Sequence, residues 1–126
     1  MGDMLNILND NTGDLVSNMM RLSNMRQKVV AQNIANANTP DYTRRAVKFS
    51  EELADVVKNQ NSTSELPSLD VEMYKDTTNE ARMDGNNVVL PEELNQLMQN
   101  SLQHRLLSRI RSTRGEILKL AAKGPK

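Results

Sequence analysis

His104 is the single imidazole of the chain and there is no cysteine. The side chains that most often supply a base, a nucleophile or a soft metal ligand at neutral pH are therefore nearly absent. One histidine builds no triad, dyad or multi-histidine metal site, and beside Arg105 on a helix it reads as a surface or interface residue. Two stretches, Asp10-Asn11-Thr12-Gly13-Asp14 and Asp84-Gly85-Asn86-Asn87, offer the oxygen ligands that calcium loops use. Neither has the alternating ligand spacing or the bidentate Glu at position twelve, and turn chemistry explains both. The carboxylate pair Glu51-Glu52 falls where a helix start favours acid. No glycine-rich phosphate cradle occurs. The expectation is a chain without catalytic residues, metal, cofactor or small-molecule substrate: not an enzyme.

Nor do the charges suggest nucleic acid. The arginines Arg105, Arg109, Arg111 and Arg114 are interleaved with aliphatic residues, aromatic residues make up 2% of the chain, and formal net charge is zero. A stacking platform is missing. The charges are nonetheless segregated. Residues 1–49 carry six basic and four acidic groups, 50–93 three and eleven, and 94–126 seven and one. Opposed fields of this kind can steer copies of a chain toward each other, the alternative being that each run is simply a solvated face.

What remains is a chain suited to packing, and two long amphipathic helices must do it. With 126 residues, one phenylalanine, two tyrosines and no tryptophan, a compact monomer rests on Leu, Val, Ile and Met alone, and a core completed by association fits better. Leu15, Met19, Leu22, Met25 and Val29 step by four, three, three and four, one face of a helix expected over 13–36 with Thr12 as N-cap, and Val16, Met20, Val30 and Ile34 broaden the stripe. A second helix is expected over 91–121. Pro91 suits its first position, Glu92 and Glu93 suit its dipole, and Leu94, Met98, Leu102, Leu106 and Ile110 form an i+4 row. Gly115 costs it roughly 1 kcal/mol relative to alanine without breaking it.

Between them, residues 41–58 read as a turn and then a short helix capped by Ser50, with Phe49 as a lid before it. Residues 59–68 read as polar loop, and Leu69–Tyr74 alternates as a short extended piece. The fold class is thus mainly α: two long terminal amphipathic helices paired as a coiled coil, parallel or antiparallel. A short helix and an irregular or partly extended middle complete it. Three segments follow: 1–58, a polar middle 59–83, and 84–126, with one assembly domain formed by both ends. The apolar stripes are wider than a two-helix seam needs, which implies further partners.

The exit from the first helix, RQKVVAQNIANANTPDYTRRAVKFSEEL, carries more asparagine than a stop requires. It closely resembles the signature Asn-[Ile/Leu]-Ala-Asn-x-x-Thr-Pro-Gly-Tyr of the flagellar rod, hook and filament-cap-side axial proteins. Within that group, the short length and the block ARMDGNNVVLPEEL look like the small proximal-rod subunits. The match covers roughly 15–57 and 81–121. Two positions depart from the pattern: Asp41 stands where the family has glycine, and Val89 where an acidic residue is common.

The resemblance implies a structural subunit of the proximal rod of the bacterial flagellar basal body, polymerising through its terminal helices to transmit torque. It also implies export without a cleaved signal peptide through the flagellar type III apparatus into the periplasmic rod. Self, the proximal rod protein FlgC, the ring–rod junction protein FliE and the distal rod proteins are the implied neighbours. Motif positions carried over are Asn33, Ile34, Ala35, Asn36, Thr39, Pro40 and Tyr42, then Asp84, Gly85, Asn86, Asn87 and Val88. With the row Leu94, Met98, Leu102, Leu106 and Ile110 they form the expected subunit interface. Tyr42 suits it as a large anchor with a polar tip. The alternative is a small helical chaperone or adaptor of the same secretion system, binding one partner stoichiometrically.

Overall fold

A computed structural model describes residues 10–49 and 71–124 of the chain. Four elements follow in order: α1 (Asp10–Ala35), β1 (Arg45–Phe49), β2 (Val71–Lys75) and α2 (Leu90–Lys123). The expected short helix after Ser50 and the polar loop 59–68 lie outside the described residues.

The two helices lie side by side and antiparallel. Ser23 of α1 meets Asn100 of α2, while Asn33 near the end of α1 meets Glu93 near the start of α2. At the far end the space above Gly13 is filled by the Arg114 guanidinium. Helix α1 already includes Asp10, so Thr12 lies within it rather than capping it. At the start of α2, Pro91 occupies the first turn with Glu92 and Glu93. Val89 supplies no side-chain cap, as its apolar side chain dictates. Gly115 sits inside a continuous α2 with open space where a β-carbon would stand.

Residues 45–49 form a strand, where the sequence reading has a turn leading into a helix. β1 and β2 pair antiparallel with Arg45 opposite Lys75, Val47 opposite Met73 and Phe49 opposite Val71. Phe49 therefore ends a strand. The extended reading of Leu69–Tyr74 matches β2, which runs over Val71–Lys75. RAVKF is itself short and alternating, with Val47 facing inward, so the period-2 signal was present but brief.

The core is small. Leu22 and Val29 of α1 pack with Val47 of β1, and Val71 leans on them. Val16, Val30, Val88 and Leu107 are also buried. The expected α1 stripe is largely the buried one: Val16, Leu22, Val29 and Val30 face inward, Met19 and Met25 are exposed, and the unexpected inward residue is the polar Ser23, seven residues from both Val16 and Val30. Beside these few apolar residues, Asn33, Arg44, Asn86, Asn87, Glu93 and Asn100 are buried too. Buried polar groups persist where their hydrogen bonds are made.

Candidate functional site

Helix α1 stops because its last turn is tightened and its carbonyls are answered. Asn36 Nδ2 donates to the Gln32 carbonyl at 2.8 Å, and the Ala37 N–H to the Ile34 carbonyl at 3.2 Å. Thr39 Oγ1 donates to Asn36 Oδ1 at 3.1 Å, and Pro40 carries no N–H with which to continue. The chain then reverses at Asp41, whose φ of 59° is the left-handed conformation that Asp tolerates and glycine takes freely.

Asn33, fully buried, makes four hydrogen bonds to three residues at this exit. Its Nδ2 donates to the Arg45 carbonyl (2.8 Å) and to Glu93 Oε2 (3.3 Å). Its Oδ1 accepts from the Arg45 N–H (2.9 Å) and the Tyr42 hydroxyl (3.0 Å). One amide thereby ties α1, the turn, β1 and α2 together. Ile34 is half-buried beside it, while Ala35, Thr39 and Pro40 are exposed.

The second motif block closes on the first from below. Asn86 Nδ2 donates to the Asn36 and Thr39 carbonyls at 2.8 and 2.9 Å. Its Oδ1 accepts from the Val88 N–H at 2.7 Å. Asn87 Oδ1 accepts from the Arg44 N–H and its Nδ2 donates to the Asp76 carbonyl. Asp84 accepts the Asp41 N–H at its carbonyl, and its Oδ1 accepts from the Asn86 N–H. Gly85, at φ 83°, is needed twice over, since a β-carbon there would also run into the Asp41 side chain. Residues some 50 apart in sequence thus satisfy each other's backbone within one chain.

At the centre lies a buried ion cluster. Arg44 Nε donates to Glu93 Oε1 at 2.6 Å, and Arg44 Nη1 pairs with Asp76. Burial works against the guanidinium charge, but the two carboxylates outweigh it and hold its pKa above the ordinary value. Asp76 is held below the ordinary carboxylate range. The Thr78 hydroxyl and N–H are the main cause, and Arg44 adds to them. Glu93 is therefore more than the dipole-complementing acid expected from sequence: its side chain is fully buried against Arg44 and Asn33.

The other face of α2 is different in kind. Glu93, Asn100 and Leu107, at seven-residue spacing, face α1. The Asn100 amide donates to the Ser23 carbonyl at 2.9 Å and to Gln27 at 2.8 Å. These polar contacts set the register and turn the aliphatic row outward. Leu94, Met98, Leu102, Leu106 and Ile110 are 45, 68, 62, 61 and 41% exposed. Among the described residues, no helix is long and apolar enough to cross a membrane, and no cluster of three or more His, Asp or Glu is placed to hold a metal ion.

The model of the "Flagella basal body rod protein" family matches residues 16–43, which covers most of α1 and its asparagine-rich exit. A flagellar basal body rod protein FlgB from Borrelia hermsii is 32% identical, the alignment covering 79% of this chain and 86% of that relative. FlgB of Escherichia coli K12 is 31% identical over 69% of this chain and 75% of its own, and FlgB of Proteus mirabilis 29% identical over 76% and 82%. The chain belongs to the FlgB family of flagellar basal-body rod proteins.

Within that FlgB-family frame, the structure brings both motif blocks into one junction and leaves the α2 row outside it. The sequence reading missed Arg44, Asp76, Asn100 and the second role of Glu93. Arg44 sat in a basic run, Asp76 in an unpatterned stretch, and Asn100 inside a leucine-rich helix. The one available signal was the seven-residue spacing shared by Glu93, Asn100 and Leu107 with Val16, Ser23 and Val30.

Proposed function

We propose that this rod protein polymerises through the outer face of α2 together with the exposed side of the α1 exit, as a non-enzymatic structural subunit. The observation that carries the reading is the outward aliphatic row. Five large apolar side chains along one ridge are exposed while polar residues hold the helix pair from within. Exposed patches of this kind mark association surfaces. Neighbouring helices of other subunits complete the coiled-coil packing that the lone pair lacks. The neighbours are copies of this chain and the other axial proteins, FlgC, FliE and the distal rod proteins. The subunit is exported by the flagellar type III apparatus into the periplasmic rod, where the polymer transmits torque.

Complementation of a deletion strain tests this. Leu106→Asp places a charge at a 61% exposed site, so it should leave the monomer folded yet abolish motility. Tyr42→Ala, which removes the hydroxyl donated to Asn33, should impair it as well, and changes within 59–68 should be tolerated. Equal tolerance at all three places would sink the interface map.

A further inference from the structure

Of the five glycines in the chain, only Gly85 follows an aspartate or an asparagine. An Asp-Gly step is chemically labile, because glycine has no β-carbon to shield its nitrogen from the neighbouring carboxyl. The nitrogen bonds to Cγ of the neutral side chain while the carboxyl OH and the amide proton leave as water. The product is a five-membered succinimide. Water then adds at either imide carbonyl. One opening restores aspartate, and the other gives isoaspartate, an isomer of the same mass whose backbone runs through an extra methylene.

The junction is built on this labile dipeptide. Gly85 has a φ of 83°, and the Asp41 side chain lies where its β-carbon would stand, so another residue closes the turn only with strain. Asp84 is engaged as well. Its Oδ1 accepts from the Asn86 N–H at 3.0 Å and lies 3.6 Å from Arg82 Nε.

Closure pins the reacting peptide unit at both edges. Its oxygen accepts from the Asp41 N–H at 2.8 Å, and its N–H donates to the Arg82 carbonyl at 2.8 Å. A peptide unit is planar, so bringing the Gly85 nitrogen face-on to Cγ turns the whole plane about the Asp84 Cα–C bond. That rotation breaks both contacts. The carboxylate meanwhile is held on the Asn86 N–H, one residue beyond the attacking nitrogen. Asn86 in turn anchors the turn to the α1 exit through the Asn36 and Thr39 carbonyls.

We propose that Asp84-Gly85 is a site of isoaspartate formation guarded by the closed junction. The open chain isomerises there, the folded chain is protected, and an isomerised chain no longer closes. The added methylene shifts Gly85 and Asn86 against Asp41 and Asn36, so the hydrogen bonds between the two motif blocks no longer form together. Chains that stay unfolded are thereby lost, whichever surface the folded subunit uses for assembly.

The full-length chain is incubated at physiological temperature and near-neutral pH, folded or in guanidinium chloride, and then digested with trypsin. Residues 83–105 form one tryptic peptide with Asp84 as its sole aspartate. A second chromatographic peak of unchanged mass therefore reports this site, whereas asparagine deamidation adds mass. The isomer should accumulate in denaturant and form at least about tenfold more slowly in the folded chain, equivalent to a local opening free energy of about 1.4 kcal/mol. Hydrogen exchange of the Gly85 N–H in the folded, unaltered chain should be slowed by at least as much, a readout that needs no variant. Asn86→Ala keeps the dipeptide and should lose most of the protection in native buffer, with its rate in denaturant unchanged. Aged chains returned to native buffer should carry the isomer chiefly in the fraction that fails to regain helix. Absence of the isomer in denaturant overturns the proposal, as do equal rates folded and denatured or a freely exchanging Gly85 N–H. Isomerised chains that refold with the parent melting temperature, or Asn86→Ala as well protected as the parent, overturn it too.

Discussion

Replacing Glu93 by alanine strips two donors of their acceptor at a position with no access to water. Arg44 Nε loses its 2.6 Å contact and Asn33 Nδ2 its 3.3 Å contact. Arg44 keeps Asp76, but its side chain is only 7% exposed, so water cannot take over for the missing carboxylate. Breaking one side of a buried ion pair costs about 3–5 kcal/mol. The first turn of α2 also loses an acid at its positive end, worth roughly 0.5 kcal/mol. A melting temperature lowered by more than about 10 °C follows for a domain of this size. Urea denaturation followed by far-ultraviolet circular dichroism measures the loss. Glu93→Gln, which keeps the volume and one acceptor, should cost less and serves if the alanine variant is too unstable to purify. The decisive comparison is Arg44→Met with Glu93→Leu. Replacing the pair by apolar residues should be less harmful than Glu93→Ala alone, because no charge is left stranded. A Glu93→Ala loss below about 1 kcal/mol would refute the reasoning, as would a double variant worse than the single.

Other substitutions probe the junction from different sides. Asn33→Ala leaves the Arg45 N–H and carbonyl and the Tyr42 hydroxyl without their partner, and should cost at least about 2 kcal/mol in the same denaturation assay. Asp41→Gly relieves a left-handed residue and should raise stability by up to about 1 kcal/mol, whereas Gly85→Ala should lower it by more than that. Combining the two should recover part of the Gly85→Ala loss, because the Asp41 side chain is what the new β-carbon meets; strict additivity in the melts would speak against that clash. Asp76 titrates lower folded than unfolded, mainly through its Thr78 hydrogen bonds. Its contribution is present above the unfolded value near pH 4 and is lost as pH falls through the depressed folded value. Asp76→Asn should therefore flatten the acid limb of the stability profile, and an unchanged limb would argue against that role.

Much of this architecture was legible in the residues. Apolar periodicity located α1 and α2 to within a few residues, since long amphipathic helices carry many independent repeats. Pro91 and the asparagines of the exit marked ends, because capping and turn chemistry is local. Leu69–Tyr74 alternates plainly enough to show β2. The pairing across the helices was hidden. Asn100 against Ser23 and Glu93 against Arg44 join positions 77 and 49 apart, and no local pattern reports such contacts. The row from Leu94 to Ile110 was read as an interface with other subunits, but what fills the seam with α1 in its place, Asn100 and Glu93 held by these hydrogen bonds, carried no apolar signal. RAVKF was lost among turn signals because five residues of alternation look like little against a neighbouring helix cap. The motif blocks were found by their unusual spacing of Asn and Gly. Their mutual closure needed coordinates, since the Asn86 amide reaches Asn36 and Thr39 across about half the chain.

Electron microscopy of purified basal bodies tests the central claim most directly. The gene is deleted in the source bacterium and restored as wild type or as Leu106→Asp. The account predicts rings without rods in the deletion strain, complete rods with the wild-type gene, and none with the variant despite normal amounts of folded protein. Complete rods in the deletion strain, or rods rebuilt equally well by Leu106→Asp, would contradict it.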